Sequence, residues 1–396
     1  MKITSTFSIF VAILTFVTSR KTGNKDNGKH LSLGGSKGCP STLPSGPLVA
    51  DNHSLQELYQ AALAEGGKLI VYAGGDSPAQ QTGAKTSFEA RFPGMSVEMI
   101  VDLSKVHDAR VDNQLAIGNL IPDVVQLQTL QDFDRWKAQG VLHPYKPIGW
   151  DQVYPEFKDP DGYSTGVHIW AFSNNINRDL LGNNENNWPT EASDYLDPKF
   201  KGKIISTYPN DDDAVLFMYK LIIDKYGWNW LAKFVKNRPV FVRSTQVPAD
   251  SLRNGTFPAS FTTAGPLRPE VTRPVQFVLP QSDPFVTWAQ RAAILKGTRR
   301  LAAAKLYLSW WLDVDTQNDW FQWSVRKDVP VPKGFKSVFE YPGQTDPVAF
   351  EKFMADRTAL EIFKNQVQLY VGEVQGILPT GDLSILQDKM LPAAFA

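Results

Sequence analysis

Gly67-Lys68-Leu69-Ile70-Val71-Tyr72-Ala73-Gly74-Gly75 sets the reading of this chain. The apolar and aromatic run Leu69 to Ala73 is too short for a buried helix and is bounded by glycines, so it reads as a strand covered on both faces. Upstream, Ser54 can cap a helix whose Leu55, Leu58, Tyr59, Ala62 and Leu63 share one face, and Gly66-Gly67 stops it. Downstream, a helix from Ala79 to Phe92 halts at Pro93-Gly94, and a strand follows at Ser96 to Val101. A second helix runs to about Ile117, and Asp123 to Leu127 (DVVQL) is a third strand. Strand-helix-strand-helix-strand predicts a parallel sheet, because each parallel return needs a long crossover, usually a helix.

Further along, a helix around Phe133 and Trp136 ends at Gly140, and Gly166 to Asn174 (GVHIWAFSN) is a strand. Lys203 to Thr207 is another strand, followed by helices at Asp211 to Tyr226 and Trp228 to Val235 and short strands at Val240 to Val242 and Ala259 to Phe261. This stretch reads as a second α/β lobe. Val275 to Leu279 and Phe285 to Leu295 lead to a helix from Arg299 that Thr298 is placed to cap, with Ala304, Leu308 and Trp311 on one face. The last quarter is helical through Phe350 to Tyr370, and no internal repeat is present.

The 396 residues have room for two such modules. Hydrophobic residues at 42% and charged residues at 21% exclude wholesale disorder and collagen-like or coiled-coil chains. Lys plus Arg and Asp plus Glu balance at 41 each, which removes the positive field of a nucleic-acid binder. Met1-Lys2 followed by the apolar run Phe7 to Val17 and small residues predicts a signal peptide over residues 1–19, hence secretion to an extracellular or periplasmic space, with an N-terminal membrane anchor as the alternative. Residues 20–50 form a Gly-, Ser-, Lys- and Pro-rich leader that contains the single cysteine, Cys39, either a free thiol or one half of an intermolecular bridge. Asn52-His53-Ser54 and Asn254-Gly255-Thr256 are glycosylation sequons if the host glycosylates. No later run reaches about 18 apolar residues, so no membrane span is expected beyond the signal.

The chain has no GxSxG, HExxH, P-loop, GxGxxG or Cys/His metal spacing, and its five histidines are scattered. No catalytic residue, cofactor or metal is therefore expected, although residues distant in sequence can still converge. The candidates for binding follow strands, at the sheet end where open α/β folds hold ligands. Gly74, Gly75, Asp76 and Ser77 follow the first strand, and with Pro78 opening a helix their backbone N–H groups would favour an anion. Gln126, Gln128 and Thr129 sit at and after the third strand, as cleft-wall donors or as an ordinary polar loop. Tyr208, Asn210 and Asp211-Asp212-Asp213 follow Thr207; the acids mainly favour the helix dipole, with cation or amine binding as the minority reading.

Several segments in series resemble the solute-binding proteins of ABC importers, in the class II branch that contains ferric-iron, thiamine and phosphonate binders. They are Gly67 to Gly75 (GKLIVYAGG), Ile121 to Leu127 (IPDVVQL), Gly140 to Pro147 (GVLHPYKP), Tyr195 to Ile204 (YLDPKFKGKI), Arg253 to Phe261 (RNGTFPASF) and Ala292 to Asp313 (AAILKGTRRLAAAKLYLSWWLD). The resemblance implies a two-lobed α/β fold of class II periplasmic-binding-protein type, each lobe a mostly parallel sheet flanked by helices, joined by hinge strands. Lobe 1 would be residues 51–162 and 283–396, and lobe 2 residues 163–282.

The implied function is capture of a small molecule, expected to be a small anion, in an interlobe cleft, by a monomer with a membrane permease as its partner. Where ferric-binding members carry adjacent tyrosines, this chain reads Thr262-Thr263-Ala264-Gly265-Pro266, and none of its 12 tyrosines adjoins another. Thr262 and Thr263 join the candidates, and tyrosine-based iron binding is not expected. An iron site without a tyrosine pair, an enzyme on the same fold, and a partner-binding protein with a vestigial cleft stay open as alternatives. Ser77, Gln128, Asn210 and Thr262 are expected to face one cleft.

Overall fold

The structure, a computed structural model, describes residues 48–267 and 274–380. The signal peptide expected at 1–19, Cys39 and the leader up to residue 47 lie outside the described residues. Among the described residues no helix is long and apolar enough to cross a membrane.

In chain order the first half comprises α1 (Leu55–Ala64), β1 (Lys68–Gly74), α2 (Thr82–Arg91), β2 (Ser96–Asp102), α3 (Ser104–Ala116), β3 (Val124–Leu127), α4 (Gln131–Ala138), β4 (Leu142–His143) and β5 (Thr165–Asn177). There follow α5 (Arg178–Leu181), β6 (Ile205–Thr207), α6 (Asp213–Tyr226), α7 (Trp228–Lys236), β7 (Val240–Val242), α8 (Gln246–Arg253), β8 (Ala259–Ala264), β9 (Val275–Val278) and β10 (Val286–Leu295). Among the described residues four helices follow: α9 (Leu301–Trp311), α10 (Val314–Asp319), α11 (Ala349–Ala355) and α12 (Arg357–Val371).

β1 pairs in parallel with β2 and β3, as the alternation of elements predicts. Leu69, Val71 and Ala73 point into a core with α1, α2 and α9, while Tyr72 joins the opposite core with Val125, Phe133 and Trp136. Burial on both faces explains why the strand carries no polar alternation. The eight-stranded sheet runs β2-β1-β3-β10-β5-β8, with β4 beside β10 and β9 beside β5. Around the seam the pairing is antiparallel: β10 with β3 and β5, and β5 with β8 and β9. β5 and β10 are the longest strands at 13 and 10 residues. The first part of β5, from Thr165 to Phe172, lies along β10, and its far half pairs with β8 and β9. One continuous strand thus links the two sides. β6 and β7 form a separate parallel pair, tied to β8 by an Ile204–Ala259 bridge.

On the far side α6, α7, Phe261 and Trp288 build one core together with Phe350, Met354, Leu360 and Val367 of α11 and α12. Residues 349–371 therefore pack against α6 and α7, far from them in sequence. Thr298 does not cap α9. Its hydroxyl accepts from Arg300 N at 3.0 Å and donates to Asp123, while Glu65, at the end of α1, accepts from Ala302 N at 2.8 Å and Ala303 N at 3.2 Å. A carboxylate at a helix N-terminus satisfies orphan donors and the helix dipole together, so a distant acid takes the place of a local hydroxyl.

Candidate functional site

A cavity of about 150 Å³ opens where β1 and β3 end. One wall comes from Gly74, Gly75 and Asp76 after β1, Ser104 and Lys105 at the start of α3, and Gln128 after β3. The opposite wall is Asp211, Asp212 and Asp213 at the start of α6, Thr245 before α8 and Arg253 at its end, with Thr263 and Ala264 on β8. The seam strands supply the floor: Trp170 and Phe172 from β5, Trp288 and Gln290 from β10.

Local chemistry explains the glycines. A Cβ at Gly74 would stand 2.2 Å from Ser104 Oγ, and one at Gly75 would stand 2.7 Å from Val101. Both glycines serve close packing onto β2 and α3. Ser104 Oγ in turn accepts from Gln128 N at 3.0 Å, locking the loop after β3. Two of the backbone donors expected to cradle an anion here are taken within the protein. Gly75 N donates to Asp102 O at 3.0 Å and Asp76 N to Gln80 Oε1 at 2.5 Å, and α2 begins at Thr82 rather than at Pro78. A backbone donor spent inside the protein is lost to a ligand.

Three contacts bridge the two walls. Asp76 Oδ2 accepts from Thr245 N at 2.5 Å and from the Thr245 hydroxyl. Gln128 Nε2 donates to Asp212 Oδ2 at 3.3 Å, and Lys105 Nζ meets Asp211 Oδ1 at 3.0 Å. Arg243 Nε also holds Asp211, at 2.8 Å. Burial acts to raise the Asp211 pKa, but Arg243 and Lys105 outweigh it and keep the carboxyl below its ordinary value. Asp212 caps α6 by accepting from Val215 N at 2.8 Å. Burial first, then the nearby Asp76 charge, push Asp212 up to about 7. Burial likewise raises Asp76 and Asp213.

Of the sequence candidates, Gly74, Gly75, Asp76, Gln128, Asp211 and Thr263 line this cavity. Ser77, Gln126, Thr129, Tyr208, Asn210 and Thr262 do not. Gln126 is buried and accepts from the Tyr307 hydroxyl at 2.8 Å, Thr129 is buried beside Asp132, and Tyr208 stacks on Phe241. Asn210 donates to Gly372 O at 3.0 Å, and Thr262 Oγ1 accepts from Thr207 N at 2.8 Å. The common cleft expected for Ser77, Gln128, Asn210 and Thr262 therefore keeps only Gln128. Thr262 shows why: its hydroxyl is taken up by Thr207 N at the end of β6, whereas Thr263 and Ala264, at the end of β8, reach the cavity. Sequence reasoning missed the floor. Its signal was present as the period-two pairs Trp170/Phe172 and Trp288/Gln290, whereas nothing local marked Lys105 or Thr245.

A sequence profile described as bacterial extracellular solute-binding protein matches residues 120–330. No curated protein matches the sequence. Among solved structures, the substrate binding protein of an ABC transporter from Agrobacterium tumefaciens is 12% identical with a TM-score of 0.64, covering 77% of this chain and 94% of that one. Iron-bound HitA from Pseudomonas aeruginosa is 15% identical with a TM-score of 0.58, covering 76% and 99%. The periplasmic binding protein AfuA from Actinobacillus pleuropneumoniae, with exogenous fructose-6-phosphate bound, is 20% identical with a TM-score of 0.54, covering 77% and 98%. At these identities what is shared is the fold, the two-lobed class II periplasmic-binding-protein architecture.

Proposed function

Because this chain belongs to the bacterial extracellular solute-binding proteins, we propose that it captures one small solute reversibly in the cavity between its walls, without chemistry, and hands it to a membrane permease. The family works outside the cytoplasm, and secretion of this chain by its N-terminal signal is part of the proposal. One observation carries the reading: side chains from opposite walls already meet across the cavity, at Asp76 with Thr245, Gln128 with Asp212 and Lys105 with Asp211. Such contacts suit a closed state that forms around a ligand and reopens to release it. We assign the hinge to β5 and β10, the long strands that continue from one side to the other.

A phosphate or carboxylate ligand, the expectation from sequence, is not carried forward, because the lining cations are both engaged, Lys105 by Asp211 and Arg253 by Asp250. Native mass spectrometry of freshly purified protein tests capture. A small adduct should be present in the natural chain and absent from Ala264→Trp, whose indole occupies the cavity. An adduct retained by that variant places the solute elsewhere and refutes the proposal.

A further inference from the structure

Resting on the capture reading, we propose that the solute is a small organic cation, an aliphatic ammonium held between the carboxylates of Asp76, Asp212 and Asp213 and the aromatic faces of Trp170, Phe172 and Trp288.

The charge inventory of the cavity is lopsided. Its lining holds four aspartates against Lys105 and Arg253. Lys105 and Arg243 converge on Asp211, and Arg253 meets Asp250 at 2.6 Å. Among the described residues no ion pair reaches Asp76, Asp212 or Asp213; Lys105, Arg357 and Lys364 act on Asp213 from longer range. Hydrogen bonding leaves the same surplus. Thr245 serves Asp76 Oδ2, and Val215 and Gln128 serve Asp212, while no hydrogen bond among the described residues reaches Asp76 Oδ1 or the Asp213 carboxylate. Asp76 is buried and Asp212 and Asp213 are partly buried, and carboxylates so placed without a counter-charge are costly, so a bound cation would offset that cost.

Metal ions and organic cations such as ammonium can supply that charge. Among the described residues no three His, Cys, Asp or Glu side chains are grouped to hold a metal ion. Three aromatic rings form part of the floor, Trp170, Phe172 and Trp288, with Phe172 edge-on to Trp288 at 5.0 Å between centroids. Aromatic faces attract ammonium groups and cover their alkyl chains, whereas a hard metal ion needs oxygen ligands throughout. The proton that burial and mutual repulsion keep on the Asp76–Asp212 pair is what the ligand would displace.

The test uses three probes of one shape, n-butylamine, 1-butanol and butyrate, titrated calorimetrically into protein stripped of endogenous solute. Butylammonium should bind at least tenfold more tightly than either analogue, release protons at pH 6.5, and weaken at least tenfold in both Asp76→Asn and Asp213→Asn. Among the described residues no hydrogen bond reaches the Asp213 carboxylate, so that variant keeps the test valid if Asp76→Asn is unstable. Tighter binding of butyrate, or of magnesium or calcium, overturns the cation class while leaving capture intact. Equal binding of all three probes, or binding indifferent to both variants, also overturns it. A solute retained by Ala264→Trp would instead overturn the capture reading itself.

Discussion

Replacing Asp212 by Asn should stabilise the unliganded protein, and increasingly so as pH rises. In the folded chain Asp212 is pushed up to about 7 from an ordinary 3.8 by burial and then by Asp76, with Asp213 adding to the repulsion. Lys105, a cation of the lining, is engaged by Asp211, and among the described residues Val215 N and the Gln128 amide favour the charged form. Between pH 4 and 7 the folded state therefore holds a proton that the unfolded chain has released, and stability falls as pH rises across that window. At about 1.4 kcal/mol per pH unit the full shift is worth up to about 4 kcal/mol, and water in the cavity should screen this to roughly half. Asn caps a helix as well as Asp does, so the Val215 bond is retained. Urea denaturation at pH 4, 5, 6, 7 and 8 should show the two proteins equal at the acid end and the variant ahead by about 2 kcal/mol above pH 7. A difference independent of pH, or a variant less stable at pH 8, would refute the argument.

Three further outcomes can be checked directly. Arg110→Met strips the ion pair from Asp102, whose side chain is fully buried and among the described residues then keeps only Leu103 N and the Thr380 hydroxyl, so stability should drop by about 3–5 kcal/mol in urea; a loss under about 1 kcal/mol would mean the pair is not needed. Glu65→Ala removes the carboxylate from the first turn of α9 and should cost about 1 kcal/mol, whereas Thr298→Val should leave the Glu65 bonds to Ala302 N and Ala303 N in place and act through Asp123 and Arg300 N. Titration with ferric citrate should produce no tyrosinate charge-transfer band, since no tyrosine lines the cavity, Tyr72 is buried against Gln114 and Tyr208 stacks on Phe241. A strong band abolished by Tyr72→Phe or Tyr208→Phe would show that the chain rearranges to bind iron.

What the sequence determined by itself was whatever depends on near neighbours. Leu69 to Ala73 had to be a doubly covered strand, because five apolar residues between glycines leave no polar face to turn outward, and the crossovers to β2 and β3 then had to be parallel. The same locality brought Asp76, Gln128 and Asp211 into the candidate site. Tertiary structure decided everything that turns on partners far along the chain. The antiparallel seam of β5 and β10 joins segments more than a hundred residues apart, and no local pattern states which strand lies beside which. It decided which of Thr262 and Thr263 faces inward, that Glu65 rather than Thr298 caps α9, and that α11 and α12 cover the α6 core. Above all it decided the charge of the cavity. Four aspartates and two cations are neutral or strongly acidic depending only on who pairs with whom, and Asp211 and Asp250 take up both cations. Periodicity reports which residues are buried, whereas Coulomb energy depends on distances that only the assembled fold sets.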